Sequence, residues 1–242
     1  MWLVGNKRPP LDVYLTLGGF AAIQNGRVAH THDNETQTDS NEALKRWLIS
    51  ISFQGAIRIF LSGGICRPFL ASVPNGLSGT EAELAWQAAA AARTGLSKDC
   101  IVWKESPDIG AVRLAAALED TVFHQLQGLT RIPRRNISIA SIQPAWSTWL
   151  NTSLALDQAS TCVILQEIDS VTILAGDGSG FELATSLQGA LDPITTRAAV
   201  DRLLLVTECV KNEPGRARIG LRESASSVKT ENALSLLLEK IH

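Results

Sequence analysis

The sequence contains no apolar run near the ~20 residues that a membrane-crossing helix needs; its most apolar stretch, Ala88 to Ala92, sits between Gln87 and Arg93. A secretory leader is missing too, since Met1-Trp2-Leu3-Val4 runs into Lys7 and Arg8 without an apolar core. Charge of one sign is also lacking. With 22 basic against 24 acidic residues the net charge is −2, which argues against a basic nucleic-acid binder or a surface held to anionic lipid by charge alone. Cysteine is sparse: Cys66, Cys100, Cys162 and Cys209 form no C-x-x-C pair, and each lies in or beside an apolar run. That predicts buried reduced thiols in a reducing compartment, not a disulfide framework. Together these absences predict a soluble, cytoplasmic chain. The remainder, 45% hydrophobic and 19% charged over 242 residues, is the composition of one globular domain or a pair of small lobes with a real core.

Leu11, Val13, Leu15 and Leu17 alternate with Asp12, Tyr14 and Thr16, the period of a half-buried strand, and Gly18-Gly19 ends it. Phe20 to Gln24 and Arg27 to Thr31 flank Asn25-Gly26, a hairpin signal because both central residues of such a turn take positive φ. Asp39 and Glu42 form a capping box ahead of the helical stripe Leu44, Trp47, Leu48 and Ile51. Ala56 to Leu61 predicts a buried strand ending in Ser62-Gly63-Gly64.

A middle section departs from this order. Cys66 to Val73 predicts a short edge strand interrupted by Pro68. Thr80 and Glu83 offer a capping box for an alanine-rich helix ending near Gly95. Cys100 to Lys104 and Ala111 to Ala117 read as strands, and Leu118, Val122, Leu126 and Leu129 as one helical stripe ending at Gly128. Asn136 to Ile142 is again a strand, with Pro144 opening a helix that carries Trp146, Trp149 and Leu150 inward. The opening order then returns: strands over Thr161 to Gln166, Val171 to Ala175 and Phe181 to Ser186, a helix capped by Asp192-Pro193, a fourth strand over Arg216 to Leu221, and a last helix with Leu234, Leu237, Leu238 and Ile241.

The expected fold is therefore α/β: duplicated βββαβ units with an α/β insert. The expected division is a first lobe over 1–135, with the insert at about 65–130, and a second lobe over 136–242. This topology resembles the actin-like, ribonuclease-H-like ATPase superfamily. Ile59-Phe60-Leu61-Ser62, followed by Cys66-Arg67-Pro68-Phe69-Leu70 and Val73-Pro74, resembles the region of PilM-type pilus-assembly proteins where a strand pair leads into a proline-marked loop. Ile137 to Pro144 is similar to their crossover into the second lobe, and Thr161 to Ser186 to their second-lobe hairpins. The cytoplasmic actin-like domain of type II secretion GspL proteins is a related resemblance.

The resemblance implies a cytoplasmic scaffold at the inner-membrane face of a pilus or secretion machine, reaching the membrane only through its partners. It implies a groove between first lobe and insert that holds a cytoplasmic segment of an inner-membrane assembly protein. By position in the family's groove region, the partner-binding candidates are Arg67, Phe69, Pro74 and Trp86. Some family members bind ATP through a phosphate loop in each half.

Such a site needs an Asp at the end of the first strand and open glycine backbone in the turn. Here Leu15-Thr16-Leu17-Gly18-Gly19 keeps the glycine but puts Thr16 in the carboxylate's place, and Leu165-Gln166-Glu167-Ile168-Asp169-Ser170 has no glycine. Both loops read as tight turns without nucleotide, so no catalytic residue, cofactor or metal is expected. A divergent actin-like ATPase or sugar-kinase relative is the alternative. Nuclease chemistry would need converging carboxylates, and Asp12 with Glu42 is one candidate pair, not a site.

His30-x-His32-Asp33 has a zinc-compatible spacing without a visible third ligand, and exposed histidines beside an acidic loop are the alternative. Gly176-x-Gly178-x-Gly180 precedes a strand, so it reads as a hairpin turn and not a dinucleotide fingerprint. Arg131, Arg134 and Arg135 form a local basic cluster that suits either a solvated turn or an anionic partner.

Overall fold

The computed structural model describes residues 9–24, 27–33, 39–74, 76–104, 112–148, 161–167, 169–177, 180–188 and 227–232. The first strand, β1 (Leu11–Thr16), is buried along its whole length, not along one face. Leu11, Val13 and Leu15 enter the main core, while Tyr14 enters a smaller one on the opposite face with Ala21, Ile23, Phe60 and Ala145. The polar residues that suggested a wet face are satisfied inside. Arg58 grips Asp12 with two hydrogen bonds, Nη2 to Oδ2 at 2.7 Å, and Thr16 Oγ1 donates to the Gly19 carbonyl at 3.2 Å. With a core packed on each of its faces, β1 has no exposed side to alternate toward.

β1 pairs antiparallel with β2 (Gly19–Gln24), which pairs antiparallel with β3 (Arg27–Asp33), as the Asn25-Gly26 signal predicts. Helix α1 (Ser40–Ser50) crosses to β4 (Gly55–Leu61), which lies parallel to β1. Asp39 caps α1, its carboxylate accepting from Asn41 N–H at 2.9 Å. Glu42 does not complete a capping box; it pairs with Lys45 at 3.1 Å on the exposed face.

The insert follows: β5 (Arg67–Ala71), α2 (Gly79–Thr94), β6 (Cys100–Lys104), β7 (Arg113–Glu119) and α3 (Asp120–Gly128). Its strands form a separate sheet in the order β5-β7-β6, which places Pro68 on an edge strand as expected. β7 serves two cores. Ala115 and Ala117 face α2 with Phe69, Trp86 and Ala90, whereas Leu114, Ala116 and Leu118 face the main core. Leu118 thus belongs to a strand, and the helical stripe begins after it. The box that starts α2 is Ser78 with Glu81, two residues ahead of Thr80 and Glu83; Glu81 accepts from Ser78 N–H at 2.9 Å. Gly95 ends the helix at φ 72°, where a side chain would be strained.

The next strand corrects the expected lobe boundary. β8 (Ile137–Pro144) pairs parallel with β4 and completes a five-stranded first sheet, β3-β2-β1-β4-β8. It therefore belongs with the first sheet and not with a second lobe beginning at 136. Its isoleucines Ile137, Ile139 and Ile142 pack on the core that β4 already fills. Pro144 ends this strand, not opening a helix, and the helical turn starts at Ala145 with Trp146 fully buried.

The second sheet holds β9 (Thr161–Gln166), β10 (Ser170–Asp177), β11 (Gly180–Gln188) and β12 (Ser227–Asn232), in the order β11-β10-β9-β12. This repeats the order β3-β2-β1-β4, including the parallel pairing of the fourth strand with the first. The duplication is thus present in the topology. The parallel fourth strand comes from Ser227–Asn232, downstream of the expected Arg216 to Leu221. That expected segment, the two helices expected around it, Trp149, Leu150 and Cys209 lie outside the described residues. Cys66 and Cys100 are buried thiols, and no described helix is long and apolar enough to cross a membrane.

The position of the α2 cap gives a direct check. Ser78→Ala should lower stability by about 1 kcal/mol, the usual worth of an N-cap, whereas Thr80→Ala should change it by much less. Urea unfolding of the two variants distinguishes the cap positions.

Candidate functional site

The turn between β9 and β10 carries the chemistry that joins the two sheets. Glu167 and Asp169 point from it into the first lobe, and both are at least nine-tenths buried. Glu167 Oε2 accepts from Gly63 N–H at 2.7 Å, from Ser170 Oγ at 2.9 Å and from Thr172 Oγ1 at 3.0 Å. Its Oε1 accepts from the hydroxyl of Tyr14, the only tyrosine in the chain, at 2.9 Å. Asp169 Oδ2 accepts from Leu17 N–H and, at 2.9 Å, from Ser62 Oγ. Two main-chain amides of the first lobe, one from the turn after β1 and one from the turn after β4, therefore point at two carboxylates of the second.

The close approach depends on glycine. A Cβ at Gly63 would overlap Thr172 Oγ1 and come within 2.8 Å of Glu167 Oε2; one at Gly64 would sit 2.9 Å from Asp169 Oδ2. Burial is the largest influence on Glu167 and pushes its carboxyl up to about 7, with the nearby charge of Asp169 adding to the rise. The hydrogen bonds from Gly63, Ser170 and Tyr14 oppose it. Tyr14 is held well above the ordinary phenol range, first by burial and then by the charges of Glu167 and Asp169.

These are the turns that a nucleotide would need. Phosphate binding at a turn uses unpaired backbone N–H groups as donors. Here the donor at Leu17 already faces the Asp169 carboxylate, and a phosphate at that turn would have to displace this side chain. Thr16 closes its own turn and turns no carboxylate toward a metal. The two acids considered for nuclease chemistry do not converge: Asp12 is bound to Arg58, and Glu42 lies on the exposed start of α1.

A second feature lies between the first lobe and the insert. A cavity of about 270 Å³ opens between the start of α1, the turn after β4 and the start of α3. Arg67 and Asn41 both line it. Asn41 Nδ2 donates to Gln125 at 2.8 Å and Arg67 Nη1 to the Thr94 carbonyl at 2.7 Å, yet Asn41 Oδ1 and Arg67 Nε are buried without hydrogen-bond partners. An unpaired buried acceptor and an unpaired buried donor cost about 1–3 kcal/mol each, so the residues behind this groove carry a local penalty.

Of the partner-binding candidates, Arg67 alone lines this groove. Phe69 and Trp86 pack edge to face at 6.1 Å in the core of the insert, and they are 1% and 4% exposed. Pro74 lies on the exposed loop after β5. The structure does not bring the four together: alternation on β5 sends Phe69 inward toward α2. Missed in the sequence were Tyr14, Asn41, Glu167 and Asp169 as site residues. A lone tyrosine in an apolar strand and two acids in a glycine-free turn are the signals that were there to find.

Other candidates find ordinary surroundings. His30 stacks on Trp47 at 5.0 Å and His32 lies 5.7 Å from Phe20, and among the described residues no three potential ligands cluster around a metal site. Arg135 donates to the Ile49 carbonyl and Ser52 Oγ near the end of α1, so one member of the basic cluster is tied into a turn. Asp177 and Gly180 pair across the hairpin that the glycine triplet predicts.

No protein-family profile and no curated protein sequence matches the chain. Solved structures do. A Bacteroides thetaiotaomicron protein with an actin-like ATPase fold and unknown function aligns over 97% of this chain and 95% of its own, with TM-score 0.60 and 12% identity. The cytoplasmic domain of EpsL, an inner membrane component of the type II secretion system of Vibrio cholerae, aligns over 96% and 93%, with TM-score 0.53 and 11% identity. A structure of the PilM-PilN type IV pilus biogenesis complex aligns at TM-score 0.47 and 14% identity, over 96% of this chain and 85% of that one. The chain has the actin-like ATPase fold.

The raised Glu167 carboxyl sets a pH dependence. Because its folded value, about 7, exceeds the ordinary 4.5, its contribution is complete below pH 4.5 and is lost as pH rises through 7. Over that window the loss amounts to about 3 kcal/mol at ~1.4 kcal/mol per unit. Glu167→Gln should remove this slope, so denaturation curves for the two proteins at pH 5 and pH 8 should differ by unequal amounts; parallel curves would discard the assignment. Gly63→Ala should destabilise by about 1–3 kcal/mol through overpacking, whereas Gly18→Ala, with open space around it, should not incur that penalty.

Proposed function

We propose that this chain is a non-catalytic, actin-like scaffold of a type II secretion or type IV pilus assembly platform. It works at the cytoplasmic face of the inner membrane and holds a short cytoplasmic segment of a membrane partner in the groove at Arg67 and Asn41. The observation that carries the non-catalytic reading is the Asp169 carboxylate on the Leu17 amide, in the turn after β1 that a phosphate would use. The partner role is supported by the groove, which the polar side chains Arg67, Asn41 and Gln125 line beside apolar Leu17, Ile65 and Val122. It is also supported by the fold shared with the EpsL cytoplasmic domain, itself part of an inner-membrane machine.

Two measurements test the reading. Mg-ATP at saturating concentration should leave the melting temperature unmoved, whereas a bound ligand at 100 times its dissociation constant would add ~2.7 kcal/mol. A clear shift would return the chain to the ATPases. In a titration with the cytoplasmic tail of the membrane protein that co-purifies with the chain, Arg67→Lys should weaken binding about tenfold. It keeps the charge but removes the Nε–H donor. Unchanged affinity would place the partner elsewhere.

A further inference from the structure

The insert carries a second groove, on the far side of Trp86 from the Arg67 cavity. It holds about 620 Å³ between one face of α2, formed by Gly79, Ala82, Glu83, Trp86 and Gln87, and the strand β6. The spacing of those five residues keeps them on a single helical stripe. β6 is the outer strand of its sheet, so among the described residues no strand pairs with its far edge.

The register shows which groups that edge presents. Asp120 N–H donates to the Asp99 carbonyl across the β6–β7 ladder, so Ile101 and Trp103 turn their main-chain groups to β7. Cys100, Val102 and Lys104 turn theirs outward. Gln87 Nε2 already donates to the Cys100 carbonyl at 3.0 Å, doing for the edge what the amide of a neighbouring strand would do. The charge around the groove has one dominant sign: Glu83, Asp99 and Asp120 line it against Lys104, whose ammonium is drawn over the Trp86 ring at 5.4 Å.

We propose that this groove takes an extended, lysine- or arginine-bearing segment of a partner protein as an added strand on β6. The backbone of that segment would pair with Val102 and Lys104, and its side chains would lie against α2 and meet the three carboxylates. The site shares no hydrogen-bonding group with the Arg67 groove, so either assignment can fail alone.

The test uses the full chain and a short fluorescein-labelled peptide of alternating lysine and valine, with a glutamate–valine peptide as control. The basic peptide should bind, the acidic one should not, and hydrogen exchange should slow at the Val102 and Lys104 amides. Val102→Pro removes an outward N–H while sparing the β6–β7 ladder, and should weaken binding about tenfold or more. The double change Glu83→Lys with Asp99→Lys, at exposed positions, should do the same without touching the edge, and it decides the matter if the proline variant misfolds. Equal binding of both peptides, no binding of the basic one, or affinity unmoved by the variants overturns the proposal. So does concentration-dependent protection of the same amides in the protein alone, which would give the edge to a second copy.

Discussion

Two buried carboxylates, hydrogen-bonded to amides and hydroxyls of the first sheet, tie the two sheets together. Withdrawing an acid from water is costly, and the expense falls only when each oxygen finds donors. Glu167 finds four, and Asp169 has donors in Leu17 and Ser62. The donors come from both halves of the chain, so the same bonds that satisfy the acids also hold the halves in register. Tyr14 extends this network to the far face of β1, where its ring fills the smaller core.

That network also reaches the groove at Arg67. Leu17 donates its N–H to Asp169, and its carbonyl accepts from Ser40 Oγ at the start of α1, so one residue touches both features. Gly64 does likewise: it lies against Asp169, lines the groove, and its carbonyl accepts from Gln188 Nε2 of β11 at 3.3 Å. The groove is therefore framed by backbone that the second lobe holds in place. This coupling suits a scaffold, in which the binding surface has to stay formed without a nucleotide to order it.

Much of the architecture was legible in the sequence because it rests on local chemistry. The Asn25-Gly26 hairpin, the proline-marked edge strand β5, the alanine-rich helix closed by Gly95 and the repeated strand triplet follow from turn residues and periodicity. What failed was non-local. The alternation in β1 looked half-wet because sequence does not show that Arg58 will neutralise Asp12 across the parallel ladder. β8 was placed in the wrong lobe because a strand pairing over some eighty positions leaves no trace in either segment. The positive role of Glu167 and Asp169 in the glycine-free turn needed the other lobe to be in view. Phe69 and Trp86 were assigned to a surface by position in a resemblance, and the strand's own alternation, had it been followed, sends Phe69 inward.

The first lobe meets Glu167 and Asp169 with the hydroxyls of Tyr14 and Ser62 and with two peptide N–H groups, which every residue except proline supplies. Half of the joint on that side is consequently blind to side-chain identity, provided the chain path and the bare glycine backbone survive. A docking surface written in main chain lets the two halves drift apart in sequence while staying married in space. Such drift is one physical route by which a chain keeps its fold recognisable at 11–12% identity.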